Sequence, residues 1–385
     1  MDILYSHDTA LTLLREHAGD TSFTRSRRAL MPPGTTPAIP HREALGEDNG
    51  LVHVLVSKPE VRRPLPGVRM HLLRGELPSG GILSPQAVIG GQGNPYLCSP
   101  EIVFVQMAEG GRSTVELIQL GFELCGLYSV RPSDDSLVQH FPLTTPARLR
   151  ATIDRCGPMR GVKAARRALP FILPNSASPM ETILTMLLTL PPRLGGYALP
   201  TPELNPQLGV PKRTQDITSH RNIFPDVYYR SAREVLEYES DEFHLDPGRY
   251  ARDSHRRAVL AHMGIHVTTV SRTELFDTDL FHATACSLAR SLGHRVRLPE
   301  DTWRGCRRAL RKTLLGPYQN RLRKGQGKLG ETEIDREVIE LSYGYDEWGD
   351  ILTVEEALAR GVEVSGRTTS SAEQDEASFW ESLPI

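Results

Sequence analysis

The pattern of apolar and polar positions organises the chain around the stretch from Phe224 to Val270. Val227-Tyr228-Tyr229, beside Phe224-Pro225-Asp226, and the run from Val235 to Tyr238 are β-branched or aromatic and bounded by turn formers. They predict two short strands joined as a hairpin. Gly264-Ile265-His266-Val267-Thr268-Thr269-Val270 predicts a further strand. Before it, Pro247 to Met263 carries Tyr250, Val259, Leu260 and Met263 among charged residues at helical spacing. Upstream, Ser178-Pro179-Met180-Glu181 opens a helix with an N-cap, a proline at the first position and an acid three residues after the cap. Ile183, Leu184, Met186, Leu187, Leu188 and Leu190 give that helix its buried side.

The rest of the chain divides around this stretch. Ser6 to Arg15 predicts an amphipathic helix with Ser6 or Asp8 as N-cap. Val52 to Ser57 and Val68 to Leu72 predict strands, separated by a proline-rich basic turn. A Gly- and Pro-rich stretch runs from Pro78 to Pro95, Ser99-Pro100-Glu101 starts a helix, and Val115 to Cys125 predicts another. Pro174-Asn175-Ser176-Ala177-Ser178-Pro179 has the composition of a linker. Further on, Leu275 to Leu292 predicts one helix, and Trp303 to Lys328 is basic throughout, with Trp303 and Tyr318 interleaved. From Glu331 acids dominate, and Ser365 to Ser378 has the composition of a disordered segment. The expected organisation is an α+β domain over 1–170, a second α/β domain over 176–315, and a tail over 316–385 that turns from basic to acidic and is partly disordered.

Composition narrows the setting more than the activity. A net charge of −2 does not announce a polyanion partner, so any nucleic-acid surface has to be local. The five cysteines are scattered, with no Cys-x-x-Cys pair, which fits a reducing cytosol and supports neither a zinc motif nor a disulfide framework. The first residues lack the order of a signal peptide, and no apolar run approaches the roughly 20 residues that cross a bilayer. A cytoplasmic protein without a membrane partner is expected.

Candidate chemistry lies on the hairpin. Asp226 and Glu237 fall on neighbouring strands, where two carboxylates can share a hard divalent cation and leave positions open for water and phosphate. That is the chemistry of metal-dependent phosphodiester cleavage. Glu181, in the first turn of its helix, either closes a capping box or points toward that metal, and the sequence leaves both open. Arg249, Arg252, Arg256 and Arg257 recur on the following helix, where they form either a phosphate-binding side or a solvated face. Arg304, Arg308 and Arg311 repeat this theme in the later basic segment, with aromatic residues for stacking. His7, His53 and His71 have no ligand-like spacing and read as structural histidines.

The order helix, hairpin with Asp and Glu-x-Glu, charged helix, final strand resembles the PD-(D/E)XK nuclease superfamily, in particular its branch similar to very-short-patch-repair endonucleases. The resemblance covers about residues 176–275 and rests on Glu181, Pro225-Asp226, Glu237-Tyr238-Glu239, Asp241 and His244. It implies a restriction-endonuclease-like α/β core, a mixed sheet flanked by helices. It also implies Mg²⁺ or Mn²⁺ held by Asp226 and Glu237, with Glu181 and Glu239 assisting in catalysis, and DNA contacted by His244 and the arginines. Two positions depart from the pattern: Glu239 stands where the superfamily carries lysine, and Ser240 replaces the glycine that follows the acids. A glutamate there accepts a proton or adds a metal ligand but cannot stabilise anionic charge as lysine does.

Two functions therefore stand: a metal-dependent DNA endonuclease, and a non-catalytic nuclease-fold regulator. The second is suggested also by the N-terminal part, which more loosely resembles AbiEi-like type IV antitoxins in its opening Ser-His helix, its Val-His-Val-Leu-Val strand, Gly67-Val68-Arg69-Met70-His71 and its Ser-Pro-Glu helix start. That likeness implies a toxin or other protein partner. An acidic tail covering the basic segment as a DNA mimic is a further regulatory possibility.

Overall fold

The computed structural model describes residues 2–18, 23–27, 51–62, 65–73, 75–85, 94–214, 217–218, 221–239 and 247–323. The chain is a mixed α/β protein. Its first part is a six-stranded sheet of β1 (Asp2–Tyr5), β2 (Phe23–Arg25), β3 (Val52–Val56), β4 (Val68–Leu72), β5 (Ile82–Pro85) and β6 (Asn94–Cys98), in the order β2-β5-β6-β1-β3-β4. β1 runs parallel to β6 and antiparallel to β3, while β3 and β4 are parallel. Helix α1 (His7–Glu16) leaves β1 after a single residue, with Ser6 at its N-cap. α2 (Pro100–Glu109) and α3 (Thr114–Leu124) follow, capped by Ser99 and Ser113 as serine before a first-turn acid predicts. A hairpin of β7 (Tyr128–Val130) and β8 (Leu137–Gln139) and the helices α4 (Pro146–Arg155) and α5 (Val162–Ala168) complete this part.

Partly buried ion pairs tie the sheet to α2 and α1 to α3. Arg25 of β2 meets Glu101 of α2 through two hydrogen bonds of 2.9 and 3.1 Å, and Arg15 of α1 meets Glu123 of α3 at 2.7 and 2.6 Å. Two-pronged guanidinium pairs of this kind fix orientation as well as charge. Burial alone would raise the Glu101 carboxyl, but Arg25, with hydrogen bonds from Arg25, Thr144 and Ser99, holds it below the usual range.

The second part begins at α6 (Pro179–Thr189). The linker-like stretch before it is packed: Ser176 and Ala177 are fully buried, Leu127 donates its N–H to Ser176 O at 2.8 Å, and Asn175 donates to Cys125 O at 3.0 Å. Here proline and serine serve a buried turn and a helix cap instead of an exposed hinge. A four-stranded sheet then forms from β9 (Glu203–Leu204), β12 (Val227–Tyr229), β13 (Glu234–Glu239) and β14 (His266–Ser271), in the order β14-β13-β12-β9, while β10 (Leu208–Gly209) and β11 (Asn222–Ile223) pair separately. β12 is antiparallel to β9 and β13, and β14 returns parallel to β13 after α7 (Pro247–His262).

Side-chain alternation sorts the two faces of this sheet. Val227, Tyr229 and Leu236 join the large core that also holds Ile183, Leu184 and Leu187 of α6, whereas Tyr228 and Val235 pack under Val259, Leu260 and Met263 of α7. The large core continues into α3, with Leu117, Ile118 and Phe122, so one apolar cluster links the two parts of the chain.

The expected helix from Leu275 to Leu292 is two: α8 (Arg272–Phe276) and α9 (Thr278–Ser291). Asp277 separates them, its carboxylate accepting the N–H groups of Asp279 and Leu280 at 2.8 Å. This is N-capping chemistry, and it starts a second helix. α10 (Glu300–Arg323) lies across the turn at 192–196, where Gly195 has φ +94° and a Cβ would fall 2.4 Å from Cys306 O. Trp303 donates its indole N–H to Gly196 O at 3.1 Å.

Candidate functional site

The β12–β13 ladder runs through Tyr229↔Glu234, Tyr228↔Val235 and Val227↔Leu236. Asp226 follows next on one strand and Glu237 on the other. At that point Asp226 uses its carboxylate to accept the backbone N–H of Tyr238 at 2.8 Å, so the strands part with an acid on each. Both acids are buried, Asp226 at 1% exposure and Glu237 at 6%. Alternation puts them with Tyr228 and Val235 on the face that α7 covers.

α7 answers these acids with cations. Arg256 forms an ion pair with Glu237, and Arg257 donates to Glu239 Oε1 at 3.2 Å. These two arginines, one helical step apart, reach acids of the sheet, Arg256 mostly buried and Arg257 with about 38% of its side chain exposed. Arg249 and Arg252 fall in the earlier turns of α7, and their side chains, like the whole of Asp241 and His244, lie outside the described residues.

Glu181 belongs to a different set of contacts. Ser178 Oγ accepts the Glu181 N–H at 3.1 Å, and the Glu181 carboxylate takes the N–H of Ala177 at 2.9 Å, the Ser178 hydroxyl at 3.2 Å and the Asn205 amide at 2.7 Å. Of the two roles open in the sequence, these bonds are those of a helix cap. The link to the hairpin runs through Asn205, whose N–H donates to Asp226 O at 3.1 Å.

The basic helix α10 is mixed in role. Arg304 and Arg308 are exposed and, with Lys312, recur every four residues on one side. Arg311 is not on that side: it is buried, donates to Leu275 O and Phe276 O at 2.8 Å, and stacks over Phe281. The carbonyls it binds end α8, where a cation completes unpaired acceptors. Trp303, expected to stack on bases, is buried beside Tyr197 with Arg307 over its ring. Lys324, Lys328 and the acidic tail lie outside the described residues.

Sequence spacing missed a second polar centre. His7, His53 and His71 each place a ring nitrogen so that all three lie within 4.8 Å of one another. They are far apart in the chain, but β1 leads into His7, β3 carries His53 and β4 carries His71, and these strands are neighbours. His71 Nε2 faces His53 Nδ1 at 3.1 Å, and the His7 ring stacks on His71 with centroids 3.6 Å apart. His7 has φ +50°, held by a hydrogen bond from its N–H to Gln106 Oε1 at 2.9 Å. Burial, then the neighbouring His71, His53 and Arg69, pushes His7 down to about 3. Burial, then His53, Arg69 and Arg62, pushes His71 to about 4. His53 is lowered chiefly by burial. Among the described residues this is the one group of three or more His, Cys, Asp or Glu with ligand atoms so close, and the acids of the hairpin do not converge in this way.

Comparison with protein-family models, characterised proteins and solved structures finds no match to this chain. Among the described residues no helix is long and apolar enough to cross a membrane.

Proposed function

We propose that the second part of the chain is a restriction-endonuclease-like core that hydrolyses DNA phosphodiester bonds with Mg²⁺ or Mn²⁺. The observation that carries this reading is the parting of the β12–β13 ladder, with buried Asp226 and Glu237 next in register beyond Val227 and Leu236. The order helix, three antiparallel strands, helix, parallel strand around that point supports it, because it is the arrangement the PD-(D/E)XK resemblance implies. The donor set fits a hard cation: two carboxylates on a rigid sheet, with Glu239 two residues further on the same face. When bound, the ion supplies a Lewis acid for the scissile phosphate and lowers the pKa of a water.

The remaining work falls to this chain's own groups. Asp226 is oriented by the Tyr238 N–H, and Asn205, fixed by Glu181, sets the backbone beneath it. Arg256 shares or yields Glu237 as the site fills. Glu239, half-exposed, accepts the proton that a lysine could not take while charged. Arg304 and Arg308 offer exposed charge for the DNA backbone.

The ion pairs favour a second reading. Arg256 on Glu237 and Arg257 on Glu239 neutralise the acids from within, as in a nuclease fold kept for DNA or partner binding without cleavage. Incubating supercoiled and single-stranded DNA with Mg²⁺ or Mn²⁺ separates the two. Nicking by the wild type that is lost in Asp226→Ala and Glu237→Ala supports the enzyme. Salt-sensitive binding without nicking, unchanged by both substitutions, supports the regulator.

A further inference from the structure

We propose that His7, His53 and His71 form a binding site for a borderline divalent metal ion of the Zn²⁺ class, separate from the carboxylate hairpin. The site is assembled by topology. β3 lies between β1 and β4, so the residue that opens α1 and one residue from each neighbouring strand meet at one end of the sheet. Two nitrogens bound to one tetrahedral Zn²⁺ at about 2.0–2.1 Å stand roughly 3.3 Å apart. His71 Nε2 and His53 Nδ1 already stand 3.1 Å apart, and the third nitrogen is within 4.8 Å. Binding requires the His7 ring to turn out of its stack on His71 so that its in-plane lone pair points to the centre shared with the other two.

The surroundings suit imidazole ligands. Ser6 Oγ lies 3.0 Å from His7 Nδ1, the kind of outer hydrogen bond that fixes the tautomer and orientation of a ligating histidine. His7 holds a left-handed backbone that L-residues rarely adopt, stabilised by the buried Gln106. Strain of that kind is retained where the surroundings over-determine it, and here its effect is to aim one ring at two others. The burial that keeps these rings neutral leaves them in the form that donates a lone pair. It disfavours a phosphate or other anion, which requires protonated imidazoles.

His7 is buried while His53 and His71 are only partly so, which leaves the cluster partly accessible to solvent. Three protein ligands would therefore leave a fourth position for water or a small ligand, as in zinc sites that do chemistry rather than purely structural ones. The absence of cysteine from the cluster distinguishes it further from closed structural sites. Hard cations such as Mg²⁺ prefer oxygen donors, so the two centres should sort metals by class.

The test uses the full-length protein, stripped with chelator, dialysed against Zn²⁺ and then measured for bound metal. One equivalent of Zn²⁺ is expected, lost in His53→Gln and His71→Gln and kept in the double variant Asp226→Asn/Glu237→Gln. Retention by the histidine variants, or loss in the carboxylate variant alone, would overturn the proposal. Should the histidine variants not fold, X-ray absorption at the zinc edge of the wild type decides. Three imidazole ligands support the site, and a shell of oxygen donors, or no stoichiometric Zn²⁺, overturns it. The outcome is independent of whether DNA is cut.

Discussion

The carboxylate hairpin and the histidine cluster are built from opposite materials. At the hairpin, acids stand on paired strands and the chain supplies its own counter-ions, with Arg256 on Glu237 and Arg257 on Glu239. At the histidine cluster three neutral rings meet, with Arg69, Arg62 and Asp8 acting only at a distance and one hydrogen bond joining two of the rings. A charged cluster must be neutralised to be buried, because desolvation costs several kcal/mol per ion. A neutral cluster carries no such requirement and can stay open to a ligand. The first centre is thus closed by side chains that a metal must compete with, while the second is made of neutral rings.

Removing the internal counter-ion should break this contrast most strongly. Arg256→Ala leaves the buried Glu237 carboxylate without its cation and is expected to destabilise the metal-free protein by roughly 3 kcal/mol, read from denaturant unfolding. If the arginine stands where a metal competes, Mg²⁺ should recover part of that loss in Arg256→Ala and stabilise the wild type less. An equal effect of Mg²⁺ on both proteins would separate the ion pair from any metal position.

The histidine cluster should show itself through acid. Because His7 and His71 are pushed down to about 3 and 4, the folded state binds fewer protons than the unfolded chain, whose histidines titrate near 6.5. Stability of the metal-free protein is therefore complete above about pH 6.5 and falls as the pH drops toward 4. His71→Gln should flatten that slope. A slope in this window identical to that of the wild type would mean that the ring does not titrate as its burial requires.

The smallest effects are expected on α10. Arg308→Ala, at an exposed position, should change stability by no more than about 0.5 kcal/mol. It should weaken DNA binding and lower its salt dependence by roughly one unit of slope. Arg311→Ala should do the reverse, costing about 2 kcal/mol through two abandoned carbonyls while leaving the salt slope unchanged.

What the sequence made legible was local. The start of α6 at Ser178-Pro179 and its apolar side, the hairpin that carries Asp226 and Glu237, the charged helix α7 and the strand β14 were all readable from caps, periodicity and turn formers. The position of two acids on paired strands follows from the same signals. The partners of those acids did not, since whether an arginine points to solvent or to the sheet depends on how α7 docks. Arg311 differs from Arg308 by three residues, close to one helical turn, yet it is buried because α8 ends against it. The Asp277 break between α8 and α9 left a local trace, an aspartate before a first-turn acid, but the apolar run around it dominated. The histidine cluster left none: its members are joined by strand order, and nothing in the spacing of 7, 53 and 71 encodes that β3 lies between β1 and β4.

The proposed nuclease core requires Asp226 and Glu237 together to hold a hard divalent ion. The most direct measurement is Mn²⁺ binding followed by electron paramagnetic resonance on the wild type, on Asp226→Asn/Glu237→Gln and on His53→Gln. One bound Mn²⁺ is expected in the wild type, retained in His53→Gln and lost in the carboxylate variant. Mn²⁺ binding unchanged by loss of both carboxylates, or absent from the folded wild type, would contradict it.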